Sequence, residues 1–349
     1  MEDYLLFHKS LIISFVTLLT CAVVCFFSKQ LNFVDSPDGI RKTHEGRIPL
    51  AGGLSLVFSL LFCSYLLFSP EVFFNDSFND LFIVSFLVLV LGILDDIKPL
   101  PVSFRLIVQI IASWIFILMT DIYLKDLGNL FGLGQIYLGQ LGIPITIFMV
   151  VGLCNAFNML DGMDGLVALV VISIFASLFF IFFYKGVSYD LALLLLISLI
   201  IFSFFNLGLF GTKWKMFLGD SGSMWLGFIT AWSLVILSQD SDPLISPISA
   251  IWLVLLPLID ALSTVFNRLR EGKTIFSGDR THIHYLLIDK GIGEWKVLLM
   301  LFFISSSSCG FSIIFNLLNV EDHFAFYGFL TIWLFYFLLI KYPILKKNF

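Results

Sequence analysis

Long apolar stretches separated by short polar breaks run the length of this 349-residue chain. Eleven stretches stand out, at roughly 10–28, 48–68, 80–94, 104–120, 141–158, 164–184, 189–207, 223–238, 247–267, 296–317 and 323–341. Most approach the ~20 residues that an α-helix needs to cross a bilayer. The third is short, and Gly or Pro interrupts several others. The period-two alternation of transmembrane strands is absent, so helices must satisfy the backbone inside lipid. The pattern predicts an all-α integral membrane protein of about eleven transmembrane helices. It forms one polytopic domain over residues 1–349, without internal repeat or low-complexity tail.

Composition agrees. Only 13% of residues are charged, against roughly 25% in a soluble domain, and no soluble fold of this size could cover so much apolar surface. The stretch Leu11–Phe27 lacks a strongly basic leader and an Ala-x-Ala exit, so it is read as a retained first span rather than a cleaved signal. The five Cys lie in apolar segments without Cys-x-x-Cys spacing. They read as small packing residues, not as a disulfide framework or zinc site.

Charge placement sets the orientation. All of the 20 Lys and Arg residues except Lys9, Lys125 and Lys185 fall in one alternating set of connections and at the C-terminus. The opposite set carries Glu71, Asp76, Asp80, Asp240, Asp242, Glu321 and Asp322. The positive-inside rule then puts the N-terminus outside and the C-terminus in the cytoplasm. Segments 29–53, 95–105, 155–165, 208–223 and 268–295 share the cytoplasmic face, the last with room for a short interfacial helix.

Every dense polar cluster falls on those segments. Asp95-Asp96 ends the third stretch; two adjacent carboxylates near lipid raise each other's pKa unless a cation neutralises them. Asn155, Asn158, Asp161 and Asp164 recur every third residue. On a regular helix this row would drift by about 60° per step, but Gly162 and Gly165 favour a break that could aim several oxygens into one pocket. Phe217-Leu-Gly-Asp220-Ser-Gly opens the eighth stretch, where Asp220 could cap a helix or ligate a metal. His282 and His284 follow Asp279-Arg280; at i, i+2 they share no helix face, which argues against a zinc pair. Arg41, Lys42, His44 and Arg47 suit an anionic headgroup or simple membrane anchoring. The candidate metal ligands are hard oxygens, which favour magnesium or manganese. Such a metal beside carboxylates and cationic groups points to phosphoryl transfer. No P-loop is present.

Together these residues resemble the polyprenyl-phosphate N-acetylhexosamine-1-phosphate transferase family along nearly the whole chain. The resemblance rests on Arg41-Lys-x-His44, Pro49-Leu-x-Gly52-Gly53, Leu-Asp95-Asp96, the Asn155–Gly165 run, Phe217-x-Gly-Asp220-x-Gly-Ser223 and Phe276-Ser-x-Asp-Arg-x-His282-Ile-His284. The branch that transfers N-acetylglucosamine-1-phosphate to undecaprenyl phosphate is more similar than the muramoyl-pentapeptide branch, whose His-His-His tract is absent. Tyr285 and Gly278 depart from that branch, which usually has His and Pro there.

The resemblance implies eleven helices in the bacterial inner membrane and a cytoplasmic active site. The implied reaction joins a UDP-N-acetylhexosamine to undecaprenyl phosphate, giving a lipid-pyrophosphoryl sugar and UMP, the opening step of a cell-surface polysaccharide. It implies Mg2+, or Mn2+, on Asp220, and Asp95 and Asp96 at the reacting lipid phosphate, with Asp95 as general base. Asn155, Asn158, Asp161, Asp164 and Phe217 would hold the nucleotide. Arg280, His282 and His284 would select sugar and diphosphate, and Arg41, Lys42 and His44 would meet the lipid phosphate. No nucleic-acid partner is expected, and a homodimer is compatible with the sequence. The competing class is a lipid or sugar-phosphate transporter, for which Asp260, inside the ninth stretch near Pro257, is the sole motivating residue.

Overall fold

A computed structural model describes residues 2–35, 46–67, 77–187, 190–240, 242–275 and 280–341. Arg41, Lys42, His44 and Asp279 lie outside the described residues. The described chain is an all-α membrane protein with one two-stranded antiparallel ribbon, β1 (Val34–Asp35) and β2 (Ile48–Pro49). Its helices are α1 (Glu2–Gln30), α2 (Gly52–Leu67), α3 (Ser77–Ile97), α4 (Val102–Thr120), α5 (Gly142–Leu160), α6 (Leu166–Lys185), α7 (Asp190–Asn206) and α8 (Gly219–Gln239). There follow α9 (Pro247–Leu253), α10 (Leu255–Arg270), α11 (Ile283–Asp289), α12 (Glu294–Leu317) and α13 (Asp322–Phe335).

Seven of these, α1, α3, α4, α5, α6, α8 and α12, are long and apolar enough to cross a membrane. The α9–α10 pair supplies an eighth if counted as one bent span, and α2, α7 and α13 fall among shorter apolar helices. Phe15, Phe62, Phe148 and Phe303 are all exposed on helix surfaces, as expected where the surrounding solvent is hydrocarbon.

Two expectations need correction. The third stretch is not short: α3 has 21 residues, because Ser77, Phe78 and Asn79 at one end and Asp95, Asp96 and Ile97 at the other are also helical. The ninth is not continuous, and its halves meet at 83°. Pro257 explains the break. It has no N–H for the carbonyl of Leu253, four residues earlier, and its ring would crowd that carbonyl. The helix stops at Leu253, whose oxygen instead accepts a weak bond from the Cys309 thiol at 3.5 Å.

Helix α8 is the axis of the bundle. Its membrane-spanning window is entirely buried, and α2, α3, α5 and α9 pack around it. Small residues permit the close approach, as in many membrane bundles. A Cβ on Gly53 would lie 2.6 Å from the Gly222 nitrogen, and one on Gly227 would lie 2.9 Å from Cys154 Cα. Polar side chains add ties between helices, among them Trp225 Nε1–H to Ser85 Oγ at 2.9 Å. With α8 enclosed, its N-terminal turn meets the C-terminal ends of α3 and α5.

Candidate active site

The site grows from that first turn of α8. Gly219 begins the helix with φ +76°, and a Cβ there would fall 2.9 Å from the Asp96 carboxylate. Glycine therefore gives both the conformation and the clearance. Asp96 Oδ1 accepts the Asp220 N–H at 2.8 Å, and Oδ2 accepts the Ser221 N–H at 3.0 Å. The cap of α8 thus comes from a residue 124 positions away, where the sequence had suggested Asp220 itself as a local cap. An anion here satisfies orphan N–H groups and faces the positive end of the helix dipole.

Asp95, its neighbour, is buried and points elsewhere. Its Oδ1 accepts the Leu100 N–H at 2.6 Å, and Oδ2 pairs with Arg105 Nη1 at 2.7 Å. Asp95 also adjoins the Asp220 carboxyl. By charge placement alone, Arg105 is one more cytoplasmic anchor. It lies in the first turn of α4, one turn before the buried Gln109, whose amide oxygen accepts from Asn155 Nδ2 at 2.7 Å.

The row of four, spaced by three, splits in two. Asn155 and Asn158 lie in the last turns of α5, which stops after Leu160. Asn155 turns to Gln109, while Asn158 Nδ2 donates to Asp220 Oδ1 at 2.7 Å and to Ser223 Oγ at 3.0 Å. Asp161 follows at the helix end and Asp164 lies in the turn beyond it. Asp164 pairs with Lys215 at 2.6 Å, and the Lys215 ammonium lies 5.4 Å from the Phe217 ring centroid. Phe217 is half-buried; its backbone donates to Pro49 O at 2.9 Å and accepts from Gly52 N–H at 3.0 Å. The ribbon strand β2 thereby ties the start of α2 to the approach to α8.

The His segment closes over the same turn. A Cβ on Gly162 would collide with His284 Nε2 and the Tyr285 hydroxyl. His282 is not helical: it caps α11 with extended backbone. Helical spacing therefore does not apply to this pair, and the two imidazoles stack nearly parallel with centroids 6.1 Å apart. Arg280 is exposed, with its guanidinium 4.5 Å from the Tyr285 ring centroid and 3.1 Å from Asp289 Oδ1.

Asp95, Asp96, Asp161, Asp164 and Asp220 thus gather at one end of the bundle. Burial, then the charges of Asp220, Asp96 and Asp164, hold the Asp161 carboxyl well above the ordinary carboxylate range. Such crowding is relieved by a cation. Among the described residues no three His, Cys, Asp or Glu groups close into a metal cage. The open, hard-oxygen arrangement fits magnesium, which is commonly held by one or two carboxylates plus substrate phosphates. The sequence pattern did not mark Arg105, Gln109 or Lys215 as site residues. A Gln one turn from an Arg inside an apolar stretch was the available signal for the first two.

Residues 79–238 match the family described as glycosyl transferase family 4. The chain is 33% identical over 323 residues to the undecaprenyl-phosphate alpha-N-acetylglucosaminyl 1-phosphate transferase of Haemophilus influenzae, covering 91% of this chain and 89% of that protein. The enzymes of the same name from Yersinia pestis and Escherichia coli K12 are each 33% identical. They cover 75% and 76% of this chain respectively, and 71% of each relative.

Proposed function

We propose, since the chain belongs to glycosyl transferase family 4 and is a transferase, that it moves N-acetylglucosamine-1-phosphate from UDP-N-acetylglucosamine to undecaprenyl phosphate. The observation that carries the proposal is the double tie on α8: Asp96 caps its first turn while Asn158 holds Asp220. That geometry gathers carboxylates from three separate spans and their connections around one point.

In this reading an oxygen of the lipid phosphate attacks the β-phosphorus of the UDP-sugar. The new P–O bond forms as the bond from that phosphorus to the bridging oxygen breaks, and UMP leaves. Asp220 would hold Mg2+, with Asp161 beside it. When bound, the metal supplies charge neutralisation at the diphosphate. Asp95, kept in place by Arg105 and the Leu100 N–H, takes any proton remaining on the lipid phosphate. That demand is small, because the second pKa of a phosphate monoester is about 6. Catalysis then rests on positioning and electrostatics. Lys215 and Phe217 form a cationic and aromatic wall suited to the nucleotide, and Asn155, Asn158, Asp161 and Asp164 line it. Arg280, His282 and His284 would meet the sugar and diphosphate, and the sequence makes Arg41, Lys42 and His44 the candidates for the lipid phosphate.

The seven long spans, the bent pair and the three shorter apolar helices together would make eleven crossings. With the Lys and Arg bias, the N-terminus lies outside and the site faces the cytoplasm at the bacterial inner membrane. The product would begin a cell-surface polysaccharide such as O antigen.

The test is UMP release by the purified chain with undecaprenyl phosphate, Mg2+ and a panel of UDP-amino sugars. UDP-N-acetylglucosamine should be the preferred donor, and release should require the lipid. A different preferred donor would overturn the sugar assignment; no release with any donor would overturn the reaction.

A further inference from the structure

Asp260 stands in α10, inside the bent span, and is only 2% exposed. A carboxylate so placed is costly unless paired and hydrogen-bonded. Its bonds reach two distant parts of the chain. Oδ2 lies 2.7 Å from His282 Nδ1. Oδ1 accepts the Ile283 N–H at 3.1 Å and the Tyr336 hydroxyl at 2.7 Å. His282 and Tyr336 are themselves buried. The His282 ring stacks on His284, and His284 Nε2 abuts Gly162, next to Asp161. A continuous run of contacts therefore leads from the bent span and the C-terminal helix to the acidic turn. A transporter reading would make Asp260 a pathway residue; these bonds give it another occupation.

We infer that Asp260 is a positioning residue for the proposed transfer, anchoring the His282–Asp289 segment and holding His282 with Nδ1 toward its carboxylate so that Nε2 serves the UDP-sugar. One oxygen sets the imidazole orientation, as carboxylate partners do for functional histidines elsewhere. The other caps the first N–H of α11 and accepts from the hydroxyl of Tyr336, the residue that follows α13. The break at Pro257 makes this possible: it redirects α10 so that Asp260 meets the segment instead of lipid. This inference rests on the transferase reading for its activity assay, and on the geometry alone for its anchoring.

The test uses the full chain in detergent, with UMP release measured as UDP-N-acetylglucosamine is varied. Asp260→Asn should raise KM for the UDP-sugar about tenfold or more, with a smaller change in kcat, because the Asp95–Asp220 centre is untouched. In a His282→Gln background it should add little, since Asp260 acts through that ring. Backbone amide exchange over 283–289 should rise in Asp260→Asn. Tyr336→Phe keeps the carboxylate–imidazole pair and should shift KM and exchange in the same direction by less; it decides the matter if Asp260→Asn does not accumulate. Unchanged KM and exchange, additive losses in the double variant, or a fall in kcat alone would each overturn the inference. If the unaltered chain released no UMP from any UDP-amino sugar, the transferase reading would fail, and amide exchange would still decide the anchoring.

Discussion

Gly92 gives the sharpest test of how the site is assembled. It lies in α3 one turn before Asp95-Asp96, where the helix touches the first turn of α8. A Cβ at this position would collide with Ser221 Cα and lie 2.6 Å from the Ser221 nitrogen and 2.8 Å from the Asp220 carbonyl oxygen. Ordinary contact needs about 3.5 Å, so Gly92→Ala falls short by nearly 1 Å. The atoms it meets are backbone and cannot rotate away, so α3 and α8 must part. Overpacking of this kind costs about 1–3 kcal/mol. The larger effect falls on the chemistry. Asp96 would draw back from the Asp220 and Ser221 N–H groups, and Asp95 from Asp220. A misplacement of about 1 Å can cost on the order of 100-fold in rate. The expected result is a fall of that order in kcat for UMP release, with expression and detergent stability retained. Gly152→Ala is the control: it is also helical, and nothing lies within 4 Å of its Cβ. Near-unaltered turnover in Gly92→Ala would refute the claim that contact between these two helices sets the reacting geometry.

Three further outcomes follow from the same geometry. Asp96→Asn keeps one acceptor but turns an amide donor toward a backbone N–H; losing a charge-assisted bond of about 1.5–3 kcal/mol should lower kcat roughly 10- to 100-fold, and an unchanged kcat would count against the cap. Asp161 has its carboxyl raised by burial and by neighbouring carboxylates, so without metal the folded protein keeps a proton that the unfolded chain releases. Stability should then be greatest below the ordinary carboxylate value of about 4 and decline as pH rises. Thermal unfolding between about pH 5 and 8 should show that decline in metal-free protein. It should be weaker with Mg2+ or in Asp161→Asn, and identical profiles in all three would contradict the crowding. Arg105→Ala leaves Asp95 buried without its cation, which costs about 3–5 kcal/mol for a fully buried pair and less here because Arg105 is part-exposed; turnover and thermal stability should both fall, and a variant matching the parent in both would remove Arg105 from the site.

Much of the fold was legible because lipid imposes a coarse rule. A span must be apolar for about 20 residues; each apolar stretch coincides with a described helix or bent pair, and seven of these helices, or eight spans with the bent pair, are long and apolar enough to cross. The acidic clusters were legible for a related reason: Asp95-Asp96 and the Asn155–Asp164 row are expensive near lipid, so their presence signals purpose. What was hidden depends on distance. Nothing near Asp220 indicates that Asp96 caps its helix, and nothing near Asp260 indicates His282 or Tyr336. Lys215 and Arg105 were read as anchors because local charge looks alike whether it faces headgroups or a carboxylate. Pro257 was visible, but not that the Cys309 thiol, far along the chain, donates to the Leu253 carbonyl that the break leaves free. The stacking of His282 on His284 was hidden because His282 precedes the helix, where helical spacing does not apply.

The claim that matters most is that groups from separate spans form one cation-holding pocket centred on Asp220. Manganese binding to the purified chain, followed by electron paramagnetic resonance with UDP-N-acetylglucosamine present and a protein-free sample as baseline, measures this directly. One protein-dependent Mn2+ signal per chain, competed by Mg2+ and lost in Asp220→Asn, is the predicted result. An equally strong signal in Asp220→Asn, or none in the unaltered chain, would contradict it.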